Sequence, residues 1–299
     1  DAGCGVVLDL KDMFSDNAAI YYSNPLLSSM IWGASEWLLR RLLKSADHVI
    51  VASAFLADYA KRIGVKDVSL ITNGADLSIF KPIPRHDFPY GDLEGHLGGS
   101  KVIGFVGTLD RWVDFETVFA SMKELSSEAC DVKLMIVGGK MVTDYSEKIK
   151  SRVEELGLEN RVVFTGFVRH TDVPYYINLM DICLIPFRPD LRLNQAKCPD
   201  KLFEYMACGK PVVSTRLSEV VRLGQGAVHY YDNASSLSRI LTSILQNAAL
   251  QDSIKRMALR IAKNYGWREI ANTYKQTLER QLVIKHAKTD TEKRNCWTR

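Results

Sequence analysis

From about Val102 onward the chain repeats one pattern: a short apolar run, a turn, an amphipathic stretch of helical length, then another apolar run. Short runs that are apolar throughout suit strands covered on both faces, and strands separated by helical segments pair in parallel. The pattern predicts strands at Val102–Val106, Val132–Val137, Val162–Phe164, Ile182–Ile185, Pro211–Ser214 and Ala227–Tyr230. It predicts helices at Phe115–Leu125, Asp144–Leu156, Val173–Met180, Lys201–Ala207, Ser235–Gln246 and Leu250–Asn264. Asp172 and Asp200 stand where N-caps would, and Gly209 where a helix would stop. The implied fold class is α/β, a doubly wound parallel sheet with ligands at the carboxyl ends of its strands.

Upstream the same rhythm is abbreviated. It gives a strand near Val6–Leu10, a long helix about Leu26–Ser45, a strand at His48–Ala52, a helix at Ala54–Gly64 and a strand at Val68–Ile71. That is too little for a full sheet, and the sequence reads as one entered in mid-domain. Lys81 to Ser100 is rich in Pro and Gly, which marks a linker and a surface loop. We therefore read 1–82 as a partial N-terminal domain, 83–100 as linker, 101–264 as the main α/β domain, 265–285 as a helix packing back toward the N-terminal part, and 286–299 as a frayed tail.

Charge narrows the choice of partner. A formal +4, set against 39 basic and 35 acidic residues, is too small to argue for nucleic acid and leaves a modest preference for anionic ligands. The cysteines Cys4, Cys130, Cys183, Cys198, Cys208 and Cys296 are scattered without a C-x-x-C pair, so neither a zinc knuckle nor a disulfide framework is expected, and a reducing cytoplasm is. No uncharged apolar stretch reaches the roughly 18 residues of a membrane span.

The chemistry concentrates after the strand that ends in Pro186-Phe187. A polar loop leads from there to Pro199-Asp200, where a helix can begin. First-turn N–H groups and the positive end of the helix dipole favour a diphosphate, and Lys201 adds a full charge. Glu204, three residues on and on nearly the same face, could accept hydrogen bonds from a ribose diol. Spacing alone fits equally well with a solvated Lys201–Glu204 pair on an ordinary helix.

A resemblance favours the first reading. The run from Pro199 to Val213, P-D-K-L-F-E-Y-M-A-C-G-K-P-V-V, is similar to the donor-site motif of family 4 of the GT-B glycosyltransferases, enzymes of the group 1 type. Further matches fall in order at Ala46–Ser53, Asn73–Pro82, Gly104–Gly107, Ile136–Gly138 and Val163–Val168, so the resemblance spans about Ser45 to Tyr274. It implies a GT-B fold, with a Rossmann-like donor domain preceded by a partial Rossmann-like domain. It also implies a retaining transfer of sugar from a UDP-, GDP- or ADP-sugar to a glycan or lipid-linked acceptor, in polysaccharide biosynthesis, without metal or cofactor.

Carried over residue by residue, the resemblance implies donor contacts at Gly107, Thr108, Arg111, Gly166, Phe167, Phe187, Asn194, Pro199, Asp200, Lys201, Leu202 and Glu204. Gly107 would let backbone approach the diphosphate, and Gly166 and Phe167 would meet the base through backbone groups. Asp9 and Asp12 fall at a strand end on the acceptor side, where capping a helix is an equal use for them. The stretch Asn24 to Lys44 mixes aromatic, aliphatic and basic residues, and its readings are a core helix, the commoner case, or peripheral contact with an anionic membrane.

Three departures qualify the carry-over. Many relatives clamp the phosphates with an Arg just after the first-loop glycine and a Lys a few residues on. Those positions are Thr108 and about Val113 here, leaving Arg111 as the nearby cation. A first glutamate of the family falls on Ala196, leaving Asn194 or Gln195 for the sugar. Most of the family's N-terminal sheet has no counterpart, so a fragment, or a partner chain that completes the domain, is expected. Two other classes stay open: a non-catalytic nucleotide-sugar-binding subunit, and a GT-B-fold sugar-nucleotide epimerase, which would need a carboxylate and histidine set in the cleft.

Overall fold

The computed structural model describes residues 5–89, 91–127, 131–139 and 145–297. Cys4 and Cys130 lie outside them, and of Cys296 only the helical backbone is described. In chain order the elements begin β1 (Val7–Leu10), α1 (Phe14–Ala19), α2 (Pro25–Ser45), β2 (His48–Val51), α3 (Ala54–Arg62), β3 (Val68–Leu70), a 3-10 turn at Arg85–Asp87 and α4 (Gly91–Leu97). Then come β4 (Lys101–Val106), α5 (Phe115–Ser127), β5 (Val132–Val137), α6 (Tyr145–Glu155), β6 (Val162–Gly166), α7 (Val173–Leu179) and β7 (Ile182–Ile185). The last elements are α8 (Arg192–Ala196), α9 (Asp200–Ala207), β8 (Val212–Ser214), α10 (Ser218–Gly224), β9 (Val228–Tyr230), α11 (Ala234–Gln246), α12 (Ala248–Ala262) and α13 (Trp267–Trp297).

These elements form two compact units. One comprises Asp1–Asn73, Gln195–Cys198 and Trp267–Arg299, the other Gly74–Asn194 and Pro199–Gly266. The division falls after Asn73 rather than at 82, and α13 belongs to the first unit.

In the first unit, β1, β2 and β3 form a parallel sheet in that order. Every residue of β2 is buried, as its unbroken apolar run requires. Ile50, Ile71 and Ile270 make a small core with Val7 and Tyr274 packed on it, which ties α13 to this sheet. A second anchor is polar: Glu36, only 5% exposed, receives hydrogen bonds from Ser15 Oγ at 2.8 Å, Tyr59 Oη at 2.9 Å and Arg40 Nε at 2.9 Å, so one carboxylate joins α1, α2 and α3. Asn24 caps α2, accepting from the N–H groups of Leu26 and Leu27, with Pro25 at its first position.

The reading of Asn24 to Lys44 as core holds for one face of the helix only. Leu39, Leu43 and Glu36 are buried, but Leu26 (78%), Met30 (71%) and Trp37 (63%) are exposed on the opposite stripe. Only one face of α2 finds a packing partner within its unit, so apolar composition did not imply burial.

The second unit holds a six-stranded sheet in the order β6-β5-β4-β7-β8-β9, every pair parallel. Strand order therefore runs outward in both directions from the junction of β4 and β7, the place where a doubly wound sheet opens a crevice beyond its carboxyl ends. Phe105, Phe115 and Phe119 pack edge-on and stacked at 5.5 and 5.8 Å, which seats α5 on the sheet.

Element ends moved where side chains could cap. Asn233 and Ser236 form a reciprocal capping box, so α11 starts at Ala234, and Asn247 accepts from Leu250 N–H, so α12 starts at Ala248. α12 also stops sooner than expected, giving way to a 3-10 turn at Lys263–Tyr265. The segment 83–100 is not a plain loop. Leu97, at the end of α4, is fully buried, Phe88 meets Tyr176 edge-on at 5.4 Å, and Asn178 Nδ2 donates to Lys81 O while its Oδ1 accepts from Ile83 N–H. Gly91, Gly95, Gly98 and Gly99 disguised this short helix by composition. Likewise α13 continues as helix to Trp297, through the segment expected to fray.

Candidate functional site

The carboxyl ends of β4, β5 and β6 meet through backbone alone. Gly107, just past β4, has φ 149 and donates its N–H to Val137 O at 2.9 Å; Gly138, just past β5, has φ 148 and donates to Gly166 O at 3.1 Å. A Cβ added to Gly138 would lie 1.9 Å from Gly107 O, so this close crossing admits no side chain. The result is a floor of peptide groups beside the point where strand order reverses.

Above that floor stands Lys201. It lies on the first turn of α9, whose N-cap is Pro199, and no side chain caps this end. Its Nζ sits 4.6 Å from the ring centre of Phe187 and 5.2 Å from that of Phe105, both buried. A Cβ on Gly107 would be 3.0 Å from that Nζ. Two bonds fix the geometry from below: Tyr205 Oη accepts the Val106 N–H at 2.8 Å, pinning α9 to the end of β4, and Thr215 Oγ1 donates to Phe187 O at 2.5 Å. Burial pushes the Tyr205 phenol well above its ordinary range, so it stays a neutral hydroxyl. At its far end α9 closes with a Schellman motif, Lys210 N–H to Tyr205 O and Gly209 N–H to Met206 O, with Gly209 at φ 69.

Glu204 lies three residues after Lys201 with 12% of its side chain exposed. Its Oε1 is 3.1 Å from His170 Nε2, and the His170 ring meets the buried Phe80 edge-on at 5.2 Å.

Of the expected donor residues, Gly107, Phe187, Pro199, Lys201 and Glu204 fall in this arrangement, and Thr108 follows Gly107 in the chain, half-buried. Gly166 has φ 70 and Phe167 is 83% exposed on the same loop as His170. Arg111 is half-buried in the loop after β4, its N–H bonded to Asp110 Oδ1 at 2.7 Å. Leu202 turns into the core, fully buried, so only its backbone can face a ligand. Asp200 is the first helical residue rather than the cap, because Pro199, with no N–H to lose, takes that place. Asp172 is the N-cap of α7 by position, yet its side chain makes no capping bond.

Asn194 keeps its Oδ1 without a hydrogen-bond partner among the described residues, while its amide nitrogen has a structural use. It is fully buried and donates both amide protons to backbone, to Trp112 O and Arg188 O at 2.9 Å each, so it braces two loops. Val113 is buried and bridges Phe187, while Gln195 and Ala196 belong to the other unit. Neither Asp9 nor Asp12 caps α1, whose N-cap is Met13. Asp9 Oδ2 accepts from Tyr274 Oη at 3.0 Å and pairs with Lys11 at 3.5 Å. Burial raises the Asp12 carboxyl, against the pull of Lys197.

Sequence reasoning noted of His170 only that its spacing to other histidines suits no metal, and it gave Tyr205 no role. His170 carried a readable signal, four residues after the Gly166 of the base-side motif; Tyr205 sat unremarked inside the donor run. Among the described residues, no group of three His, Cys, Asp or Glu side chains is placed to hold a metal ion, and no helix is long and apolar enough to cross a membrane.

Residues 100–247 match the model of the family described as "Glycosyl transferases group 1". The chain is thus similar, over just under half of its length, to the group 1 glycosyltransferases. Its fold is GT-B and its enzyme class is glycosyl transfer. It is 28% identical, over 93% of its length and 70% of the relative's, to TuaH of Bacillus subtilis (strain 168), provisionally assigned there as a teichuronic acid biosynthesis glycosyltransferase. It is also 28% identical to the 2-deoxystreptamine N-acetyl-D-glucosaminyltransferase of Streptomyces fradiae over 58% of this chain, which spans 40% of that relative. Among solved structures, HepE of Anabaena in complex with UDP and glucose superposes with a TM-score of 0.76 at 20% identity, covering 92% of this chain and 71% of that one. Sucrose-phosphate synthase of Thermosynechococcus elongatus gives 0.72 at 22% identity, covering 93% and 68%.

Proposed function

We propose that this glycosyltransferase is a retaining enzyme of the family 4 type, moving a sugar from a nucleoside-diphosphate sugar to a hydroxyl of a glycan or lipid-linked acceptor. The observation that carries the reading is the Lys201 ammonium held over Gly107 at the reversal of strand order. A diphosphate seated there meets a full positive charge, the start of α9 and a backbone floor that no side chain blocks. A UDP-sugar is the favoured donor, since HepE is described in complexes with UDP and UDP-glucose.

In the reaction the bond from the sugar C1 to the diphosphate oxygen breaks as the acceptor oxygen bonds C1 on the same face. The departing phosphate oxygen takes the acceptor proton, so no side-chain base is assigned. Lys201 and the α9 start stabilise the charge that builds on the leaving group. Glu204 receives the ribose hydroxyls, and Gly166 and Phe167 border the base. Acceptor contacts fall to the first unit, with Asp9 and Asp12 as candidates. The reading includes a cytoplasmic setting, with the exposed Leu26, Met30 and Trp37 stripe of α2, beside Arg41 and Lys44, resting on an anionic membrane.

The test is a panel of UDP-, GDP- and ADP-sugars scored for binding and for product. Binding with transfer or slow hydrolysis is expected. Tight binding with neither would make the chain a nucleotide-sugar-binding subunit, and no affinity for any member would remove the donor reading.

A further inference from the structure

Resting on the donor reading above, we infer that His170 is a positioning residue for Glu204, holding one carboxylate oxygen so that the other is presented to the ribose diol of the nucleotide. A glutamate side chain has three rotatable bonds, and on the first turns of a helix it would ordinarily spread over several rotamers. Here Oε1 lies 3.1 Å from His170 Nε2, whereas Oε2 bonds no described group. An ionised Glu204 accepts from His170 Nε2–H, and this leaves both lone pairs of Oε2 for a ligand.

The histidine is itself held. Its ring meets Phe80 edge-on at 5.2 Å and 61°, and Phe80 is 1% exposed, so the contact is made against a fixed core side chain. His170 is 67% exposed and therefore contributes little to the core. It also shares the loop after β6 with Phe167, so one short segment would border the base and orient the group that reads the sugar next to it. The pairing links residues 34 apart in sequence, from the β6–α7 loop to α9.

The prediction is specific to ribose. His170→Ala should weaken binding of the preferred nucleotide, whichever of UDP, GDP or ADP the chain binds, by about tenfold by titration calorimetry. It should leave binding of the 2′,3′-dideoxy form of that nucleotide unchanged, because Glu204 has nothing to read there. His170→Gln, which keeps an N–H donor at similar reach, should restore most of the loss. Equal weakening of both nucleotides, or no weakening of either, would overturn the positioning role. Glu204→Ala separates this failure from failure of the donor reading: a Glu204→Ala chain that still discriminates ribose fully overturns the ribose role of Glu204 and with it the positioning role, whereas a wild-type chain that binds no nucleotide refutes the donor reading itself.

Discussion

Lys201 and Gly107 form one unit of structure: the ammonium occupies the space beside the glycine where a side chain would otherwise project, 3.0 Å from the position of its missing Cβ. The glycine is thus required twice, by its φ of 149 and by the lysine above it.

Gly107→Ala should therefore strain the backbone by about 1–3 kcal/mol and displace the Lys201 side chain. A lowered Tm together with a larger loss of nucleotide affinity is expected. Gly138→Ala should be worse for folding, since its Cβ would meet Gly107 O, a backbone atom that cannot swing aside. Comparing the two melting curves checks the order.

Lys201→Ala removes the charge and should cost about 1.5–3 kcal/mol of nucleoside-diphosphate binding, the worth of a charged hydrogen bond. The loss should be far smaller for the parent nucleoside, which lacks phosphate. Affinities measured for both ligands test whether Lys201 acts on the diphosphate.

Tyr205→Phe leaves the Val106 N–H without its acceptor. A part-buried donor so stranded should lower stability by about 1 kcal/mol in urea unfolding. Because the same bond ties α9 to the end of β4, nucleotide affinity should fall as well.

Glu36 should contribute to the acid sensitivity of the first unit. Burial pushes its carboxyl up, but hydrogen bonds from Ser15, Arg40 and Tyr59 outweigh that and hold it below the usual value. A folded-state pKa below the unfolded one gives stability that is present above the unfolded pKa, near about 4.3, and lost as pH falls through the folded value. Glu36→Gln should flatten that acid limb. Glu36→Ala, which strands two hydroxyls, should cost about 2–4 kcal/mol at neutral pH. At the other end of the scale, burial and the bond to Glu36 push the Tyr59 phenol up to about 12, so it stays protonated across the neutral range.

Much of the fold was legible because it is written in local periodicity. All six strands of the larger sheet were placed to within about two residues, since an apolar run buried on both faces can be little else. The donor segment was legible too, through its helix start and its charged pair. Less legible were α4, hidden by its glycines, and the exposed stripe of α2, whose apolar residues look like core until the packing partners are known.

Asn194 shows what residue type leaves unsaid. An amide in a polar loop suggests a ligand contact, which its Oδ1 can still make, but its two N–H groups go to Trp112 O and Arg188 O, and no local pattern announces those carbonyls. His170 is the converse case, a lone histidine without metal spacing that gains a role only because the β6–α7 loop stands beside α9.

The sequence by itself determined the alternation of strand and helix, the parallel sheet, the turn glycines and the positive start of α9, because each follows from spacing within a few residues. Tertiary structure alone decided that strand order reverses between β4 and β7, and so set Lys201 over Gly107, Tyr205 against Val106 and Glu204 beside His170. Those pairs bridge separate elements, and their geometry depends on how the sheet is wound rather than on any period along the chain.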